Sequence, residues 1–426
     1  MAQGLMNFAL PGTRRIAIDG DPAALVRIDR AAEVAPAEAG LTEPAVESIA
    51  SAMLDDMFAT RIHPAVIFCL RRHGRVVLNR SIGYARGLAP ERPLAPNARI
   101  AQPDTPVCLF SASKAVIALL THKLAEEGGI DLDRPVSHYL PAFTGQGKSR
   151  TTIAQVLAHQ GGFPQFSAEG HGPEILTDWD RCVERICAMR AEAGGRRLAY
   201  HAFTGGFILG EIIRRVTDAP VTDYLDAKLR KPLGMRYFTY GLDGRSRSRV
   251  AENHVAGQPV RWPVSRWAED ALSVPFEDVV DISNRDFFMD AVIPAGNLYA
   301  TAEELSRFYQ MLLDGGVYQG QRLFRLDTLA RATQPASNQI LDRTLKIPMR
   351  YSEGLMLGMN PLGLYGPMCG SAYGHLGFMN ILGWADPSRG ISAALMTTGK
   401  AILGGHLVTF MRSLGVLNHH CGGLRA

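Results

Sequence analysis

Ser111 and Lys114 form an S-x-x-K motif, a pair of residue types at a spacing that suits nucleophilic catalysis. The motif opens a segment whose apolar residues recur at helical spacing, namely Val116, Leu119, Leu120 and Leu124. Residues three apart share one face of a helix, so the Lys114 amine can reach the Ser111 hydroxyl. The N-terminus of a helix also favours negative charge that develops there. The spacing therefore predicts a serine nucleophile with a lysine as its base.

A lysine acts as a base only where its surroundings lower its pKa from about 10.4 towards neutrality. Leu109 and Phe110 before the motif, and Val116 after it, are apolar residues that can supply such surroundings. The same pattern also fits a helix that begins at a serine and exposes a lysine in its first turn. Because so short a pattern arises by chance, the choice between these interpretations depends on the rest of the chain.

Other catalytic signatures are missing from the sequence. It contains no G-x-S-x-G, H-E-x-x-H, Walker or G-x-G-x-x-G pattern, which disfavours an α/β-hydrolase and a nucleotide-binding protein. The cluster His419-His420-Cys421 lacks complete metal-ligand spacing. We therefore predict no metal and no cofactor.

Composition describes an ordinary globular chain of 426 residues, with 46% hydrophobic and 20% charged residues. The net charge of +4 is spread without basic runs, so we expect neither a nucleic-acid nor a membrane partner. Six cysteines without C-x-x-C pairing predict free, mostly buried thiols. Arg14 and Arg15 follow the first apolar stretch, which is the wrong order for a signal peptide, and no apolar run approaches about 20 residues. We expect a soluble, cytoplasmic protein, with export by another route left open.

Strand patterns lie near both ends of the chain. Residues 65–70 and 76–82 predict a hairpin turning near Gly74, and residues 377–385 and 391–398 predict two strands joined by the turn residues 386–390. The sequence between these pairs has mainly helical spacing. This order predicts an α+β protein with one sheet built from N- and C-terminal segments and an inserted helical region. Residues 1–40 are predicted as an N-terminal extension or linker before a helix that is capped near Thr42.

Four further stretches follow the S-x-x-K motif in a characteristic order. They are G-I-D-L-D-R-P-V at 129–136, Y-L-P at 139–141, T-I-A-Q-V-L-A-H-Q-G-G at 152–162 and P-A-G-N-L-Y-A-T-A-E-E-L at 294–305. With them, residues 42–415 resemble the family of serine β-lactamases, penicillin-binding proteins and class VIII carboxylesterases. The resemblance implies a β-lactamase-like fold over residues 41–426, in which helices flank an antiparallel sheet and a helical subdomain spans roughly residues 120–290.

Two more family elements have partial matches. Tyr200-His201-Ala202 resembles the tyrosine motif Y-x-N, but Ala202 replaces the asparagine that helps hold an amide substrate in β-lactamases and peptidases. His375-Leu376-Gly377 occupies the place of K-T-G, and a histidine there favours the esterase branch. Independently of the resemblance, a glycine in a strand allows a substrate to approach closely, which we expect of Gly377.

The resemblance implies roles for these residues. Ser111 is the expected nucleophile, Lys114 and Tyr200 share the proton transfers, and His375 and Gly377 bind substrate. The expected oxyanion donors are the backbone N–H groups of Ser111 and Phe378. Which of Lys114 and Tyr200 is the base stays open. His159 and His201 are expected to orient a loop or pack behind the site.

The function predicted from these residues is a serine carboxylesterase acting on small to medium, fairly apolar esters, with a small-molecule ester as its partner. An apolar pocket is expected from residues close to the motifs, namely Phe110, Phe163, Phe166, Phe203, Phe378 and Met379. An acyltransferase would use the same Ser-Lys-Tyr site, and a β-lactamase or D-amino-acid peptidase would use it on amides. A non-catalytic binding protein is a further alternative. Substrate selection is expected in residues 246–290, and the sequence leaves the oligomeric state open.

Overall fold

The computed structural model describes residues 12–166, 173–192, 197–272 and 274–422. Its strands are β1 (Arg27–Ile28), β2 (Ala65–Arg72), β3 (Arg75–Arg86), β4 (Arg99–Ile100), β5 (Val107–Cys108), β6 (Thr239–Tyr240), β7 (His254–Val255), β8 (Leu298–Ala300), β9 (Val317–Tyr318), β10 (Gln321–Arg322), β11 (Arg350–Tyr351), β12 (Met356–Leu357), β13 (Leu362–Gly363), β14 (Gly366–Pro367), β15 (Tyr373–Gly377), β16 (Ile381–Asp386), β17 (Ile391–Thr397) and β18 (Gly399–Lys400).

The helices of the described chain are concentrated between β5 and β8, with others before β2 and after β8. They are α1 (Glu43–Ala50), α2 (Asp56–Ala59), α3 (Ser113–Glu126), α4 (Ile153–Leu157), α5 (Trp179–Ala188), α6 (Thr204–Thr217), α7 (Val221–Leu225), α8 (Val264–Leu272), α9 (Phe276–Ile282), α10 (Asp286–Asp290), α11 (Ala302–Leu313), α12 (Leu326–Thr333) and α13 (His406–Cys421). The side chain of Thr42 caps α1 by accepting from the Ala45 N–H, which confirms the predicted start of that helix.

Within the described ranges, nine strands form the central antiparallel sheet. Eight of them follow the order β1-β3-β2-β17-β16-β15-β12-β11, and β4 pairs with β3. The N- and C-terminal segments meet where β2 pairs with β17, from Val66 opposite Thr397 to Arg72 opposite Ile391. The predicted α+β class, with one antiparallel sheet drawn from both ends of the chain, is confirmed.

Helices cover both faces of this sheet. Alternate residues of β2 belong to different cores: Ala65, Ile67 and Cys69 lie in the core that contains α11, whereas Val66 and Phe68 lie in the core that contains α1 and α13. Since both faces are buried, residues 65–70 of β2 form an unbroken apolar run instead of an alternating one. Between β5 and β8 the described chain is mainly helical, with α3 packed against α6.

The described part of the predicted N-terminal extension packs on the sheet. Strand β1 extends the sheet by pairing with β3, and Ile16 and Leu25 are buried in the core. The Arg80 guanidinium on β3 forms two hydrogen bonds of 2.9 and 3.0 Å with the Glu33 carboxylate. Residues 1–11 of that segment lie outside the described residues. The division into an extension and a hydrolase domain at residue 40 stays a prediction.

The prediction of one continuous strand over residues 377–385 is wrong, because a turn interrupts it. Strand β15 ends at Gly377 and β16 begins at Ile381, because Met379 and Asn380 adopt left-handed backbone angles with φ of 49° and 62°. Two such residues reverse the chain in a tight hairpin. The apolar composition of the segment hides this turn. The turn predicted over residues 386–390 lies between β16 and β17, as expected.

The six cysteines are all free and buried, as the sequence predicted. Burial raises the pKa of the Cys69, Cys108, Cys182 and Cys369 thiols to about 12 and that of Cys421 to about 11. The Cys187 thiol has a raised pKa for the same reason. Among the described residues, no group of histidine, cysteine and acidic side chains could hold a metal ion, and no helix is long and apolar enough to cross a membrane.

Candidate active site

Ser111 lies in a short 3-10 turn (Phe110–Ala112) that leads directly into α3. The side-chain nitrogen of Lys114, Nζ, is 3.0 Å from Ser111 Oγ and 2.9 Å from the carbonyl oxygen of Ala295. The first distance is the contact that the S-x-x-K spacing predicts. The carbonyl of Ala295 belongs to the P-A-G-N stretch, and a backbone group of this kind has no side-chain signature in the sequence.

The turn that carries Ser111 is fixed from several sides. Phe110 has a left-handed backbone with φ of 46°, which is uncommon for a residue with a side chain. The N–H of Leu298 on β8 donates to Ser113 Oγ at 2.9 Å, and the Leu109 N–H donates to the Leu298 carbonyl at 2.8 Å. Behind the turn, Nζ of Lys400 lies 5.2 Å from the centroid of the Phe110 ring. These contacts hold Ser111 at one place against β8.

Lys114 is buried, and desolvation lowers the pKa of its amine well below the usual value. Both of its hydrogen-bond partners, a hydroxyl and a carbonyl, are uncharged, so neither offsets the cost of burying an ammonium ion. Nζ also lies 4.9 Å from the centroid of the Tyr200 ring. A neutral amine in contact with the serine hydroxyl can accept its proton.

Tyr200 is buried, and its phenol is hydrogen-bonded to the Ser111 side chain. Burial raises the pKa of this phenol above its usual value, and the charge of Asp342 raises it further. Tyr200 is therefore protonated at neutral pH and suited to donate a proton. The lowered pKa of Lys114 and the raised pKa of Tyr200 favour Lys114 as the base that accepts the proton from Ser111.

Asp342 anchors the segment that holds Tyr200 in place. Its carboxylate accepts from the Tyr200 N–H at 3.2 Å and from the Tyr351 hydroxyl at 2.9 Å. It also accepts from the N–H groups of Thr344 and Leu345, both at 2.8 Å. Sequence reasoning missed Asp342 and Tyr351. An aspartate that bonds to the backbone two and three residues onwards is an ordinary turn signal and indicates no catalytic role.

His159 and His201 lie behind Tyr200, where packing was expected. The backbone N–H of His201 donates to His159 Nδ1 at 3.2 Å. The centroid of the His159 ring lies 4.7 Å from that of the Tyr200 ring. The Phe163 N–H donates to His201 Nε2 at 3.3 Å. Desolvation lowers the pKa of His201 to about 3 and that of His159 well below its usual value. Both imidazoles are neutral and hold this part of the wall together.

His375 is buried near the end of β15, with its ring 6.3 Å from that of Tyr200. Its Nδ1 lies 2.8 Å from the Leu376 carbonyl oxygen, so Nδ1 carries the proton and donates. Its Nε2 has no hydrogen-bond partner among the described residues. Desolvation is the main cause that lowers the pKa of His375 to about 3. The His375 imidazole is therefore neutral, and its Nε2 atom is a hydrogen-bond acceptor.

Gly377 allows a close approach between two backbone segments of the site. A Cβ at this position would overlap the carbonyl oxygen of Leu109, two residues before the nucleophile. A close approach that requires a glycine is thus that between β15 and the Ser111 turn, and the expected approach of a substrate to Gly377 stays a prediction. This contact brings Phe378 next to the turn, with its ring 5.3 Å from that of Phe110.

Ser111, Tyr200, Gly377 and Phe378 line one cavity of about 100 Å³. Its other walls are apolar: Trp267, Ala268, Ala271, Leu272, Phe276, Leu345, Met356, Leu376, Met379 and Ile402. Five of these residues lie on α8 and α9, within the region 246–290 where substrate selection was expected; Ser273 of that region lies outside the described residues. Of the six apolar residues expected at the pocket, Phe378 and Met379 line this cavity.

Known proteins with similar sequences belong to a family of serine hydrolases, in agreement with the Ser111–Lys114 contact. The family model described as beta-lactamase matches residues 52–409. The chain belongs to the β-lactamase family. It is 30% identical over 307 residues, covering 69% of each chain, to the esterase/beta-lactamase LipL of Mycobacterium tuberculosis.

Solved structures of this family share the fold of the chain. A family VIII carboxylesterase is 26% identical with a TM-score of 0.75, over 89% of this chain and 99% of the other. A penicillin-binding protein homologue from Caulobacter crescentus is 27% identical with a TM-score of 0.72 over the same shares. The predicted β-lactamase-like fold is confirmed, and the chain is a serine hydrolase of the β-lactamase family.

Proposed function

We propose that this serine hydrolase is a carboxylesterase that hydrolyses small to medium, fairly apolar esters through an acyl-enzyme on Ser111. The observation that carries the proposal is the cavity of about 100 Å³ that Ser111 lines, whose walls are almost entirely apolar, with Lys114 in contact with the Ser111 hydroxyl. A cavity of this size and character suits a short hydrocarbon acyl chain better than a charged or peptide-like group.

In the proposed acylation, the neutral Lys114 amine takes the proton of Ser111 as Oγ bonds to the ester carbonyl carbon. When the tetrahedral intermediate collapses, the C–O bond to the alcohol breaks and Tyr200 gives its proton to the departing alkoxide. The Lys114 ammonium then returns a proton to Tyr200. The N–H groups of Ser111 and Phe378 are the proposed oxyanion donors, each worth about 3 kcal/mol in the transition state.

Deacylation repeats these transfers with water in place of Ser111. Lys114, neutral again, takes a proton from the water that attacks the acyl carbonyl, and Ser111 Oγ leaves with a proton supplied through Tyr200. The acid product and the free enzyme result, so each turnover consumes one water and leaves the protonation of the site unchanged.

The amide-cleaving alternatives find less support at the site. Ala202 provides no side-chain amide where the family motif has asparagine, and His375 is neutral where the K-T-G motif has a cationic lysine. A β-lactam or a D-amino-acid peptide carries a carboxylate and an amide that would need these partners. The residues that line the cavity are mainly apolar and would leave these polar groups of the substrate without partners.

Intact-protein mass spectrometry after mixing with p-nitrophenyl esters of increasing acyl length, with a β-lactam in parallel, tests the proposal. We expect an acyl adduct on the peptide containing Ser111, turnover of the shorter esters, and no persistent β-lactam adduct. The matched control is Ser111→Ala, which keeps the fold but removes the nucleophile. Ester turnover that persists in Ser111→Ala, or none in the wild type, contradicts the proposal.

A further inference from the structure

A second and larger concavity, the α8 groove, lies beside the catalytic cavity. It has a volume of about 720 Å³ and runs between α8 with the residues just before it and the segment of residues 343–347. Trp267 and Leu345 line both the groove and the catalytic cavity. The Trp267 indole N–H donates to the Thr344 carbonyl at 3.1 Å and ties the two walls together. The groove and the cavity are thus adjacent spaces that share Trp267 and Leu345 as lining residues.

The α8 groove exposes large apolar side chains. Trp262 is 81% exposed and Ile347 is 50% exposed, and Pro263 and Val264 continue the same lining. Single exposed apolar residues are common, but a group of them around a concavity that adjoins a catalytic site indicates a surface for an apolar ligand.

The charges around the α8 groove nearly balance. Arg266, Arg343 and Lys346 contribute three positive charges, and Glu192 and Asp270 contribute two negative ones, with Arg266 paired to Asp270 at 3.2 Å. A lining of this kind gives no strong preference for either sign of charge. It therefore favours an uncharged ligand bound by its apolar surface.

The side of the site on which the groove lies identifies which part of the ester it takes. Ala199 lines the groove, and the next residue, Tyr200, lines the catalytic cavity. In the proposed mechanism Tyr200 protonates the departing alkoxide, so the alcohol portion must lie on the Tyr200 side of Ser111. The acyl chain then occupies the cavity under Phe276 and Phe378.

We propose that the α8 groove binds the alcohol portion of the substrate, and that it takes an uncharged aromatic or bulky alkyl alcohol. This inference rests on the proposed esterase function. It assigns the two portions of the ester to the two spaces: a short acyl group in the catalytic cavity and a larger alcohol group in the groove.

The test varies the alcohol while the acyl group stays acetyl. Trp262→Ala and Ile347→Ala remove groove contacts without touching the catalytic cavity. We expect each to raise KM for 2-naphthyl acetate, roughly tenfold for Trp262→Ala, with kcat little changed and with KM for ethyl acetate unchanged. Val408→Ala is the matched control, because Val408 is 72% exposed on α13 and lines neither space.

A second readout does not depend on turnover. The product 2-naphthol should inhibit ethyl acetate hydrolysis competitively in the wild type and in Val408→Ala, and more weakly in Trp262→Ala. Equal effects on both esters, or unchanged inhibition by 2-naphthol, would overturn the groove assignment while the esterase function stands. Absence of ethyl acetate turnover together with absence of a Ser111 adduct would instead refute the esterase function and, with it, the inference.

Discussion

Lys114, the proposed base, is buried at a cost to the stability of the fold. Because its pKa is lower in the folded than in the unfolded state, the unfolded chain binds its proton more tightly and is favoured at neutral pH. We expect Lys114→Met to lower kcat/KM by about 2 to 4 orders of magnitude and at the same time to raise Tm. The wild type should gain stability as pH rises towards about 10.4, and this gain should be smaller in the variant.

Thermal unfolding of both proteins between neutral and alkaline pH measures this effect, with Lys231→Met, an exposed lysine outside the site, as the control. A lower Tm for Lys114→Met at neutral pH would mean that the buried group is an ammonium ion held by its partners.

Tyr200 is expected to matter most for alcohols that leave poorly. Its raised pKa keeps the phenol protonated, so its proposed contribution is the proton that it gives to the alkoxide. Tyr200→Phe should reduce kcat/KM for ethyl acetate by about 2 to 4 orders of magnitude, and for p-nitrophenyl acetate by clearly less, since p-nitrophenolate leaves without a proton. Steady-state kinetics with the two esters gives the ratio. Equal losses would exclude Tyr200 as the acid for the leaving group.

The pH dependence of activity should report Lys114 and no histidine. The pKa values of His375 and His201 are lowered to about 3, so both imidazoles are neutral across the neutral range. kcat/KM should therefore rise with pH as Lys114 loses its proton and then level off. In His375→Gln we expect a lower kcat/KM with the same midpoint of the acid limb. A midpoint that moves in this variant would assign the limb to His375.

The sequence could predict which side chains come together at the candidate site, but not the groups that support them. Ser111, Lys114 and Tyr200 belong to motifs with a fixed spacing and order. The Ala295 carbonyl is a backbone group, and Asp342 acts through backbone N–H groups brought together by the fold, so neither has a catalytic pattern to find. Trp267 was predicted only as part of a long region, because its place between the groove and the cavity depends on how α8 packs.

At the scale of elements, the close contact between β15 and the Ser111 turn depends on glycine, which has no side chain, at position 377. Gly377→Ala would push β15 away from the Leu109 carbonyl, since that oxygen belongs to the backbone and cannot rotate aside. We expect a loss of about 1 to 3 kcal/mol in the free energy of unfolding and a lower kcat.

Chemical denaturation and steady-state kinetics check this prediction, and Gly405→Ala is its control. Gly405 has a helical φ of −60°, and a Cβ there meets no atom within 4 Å, so alanine should be tolerated. A Gly377→Ala enzyme with wild-type stability and rate would show that the two elements can move apart freely.

Elements were predicted well where one physical signal dominated. The hairpin of β2 and β3 follows from β-rich runs around Gly74, and α3 follows from apolar residues at helical spacing. The break between β15 and β16 escaped prediction because Met379 seldom adopts a left-handed backbone and the flanking residues are apolar. The Thr397 hydroxyl on β17 donates to the carbonyl oxygens of both turn residues, at 3.4 Å to Met379 and 3.2 Å to Asn380, and local sequence does not record these tertiary contacts.

At the scale of the whole molecule, residues 12–40 behave as part of the packed structure. Their removal would expose the edge of β3 and leave Arg80, which is mostly buried, without Glu33. We expect deletion of residues 1–40 to lower Tm and to increase aggregation, because an uncovered edge strand pairs with other chains. Differential scanning calorimetry and light scattering test this. An unchanged Tm would support the linker predicted from composition.

Because all six cysteines are buried, we expect the folded protein to react little with thiol reagents. Thiol reagents attack the thiolate, and burial keeps each of these groups both protonated and out of reach. A cysteine introduced at an exposed position, such as Ile347 at the rim of the α8 groove, would then be the one thiol that a maleimide dye labels. The native chain thus offers a site-specific fluorescent reporter of ligand entry without prior removal of its own cysteines.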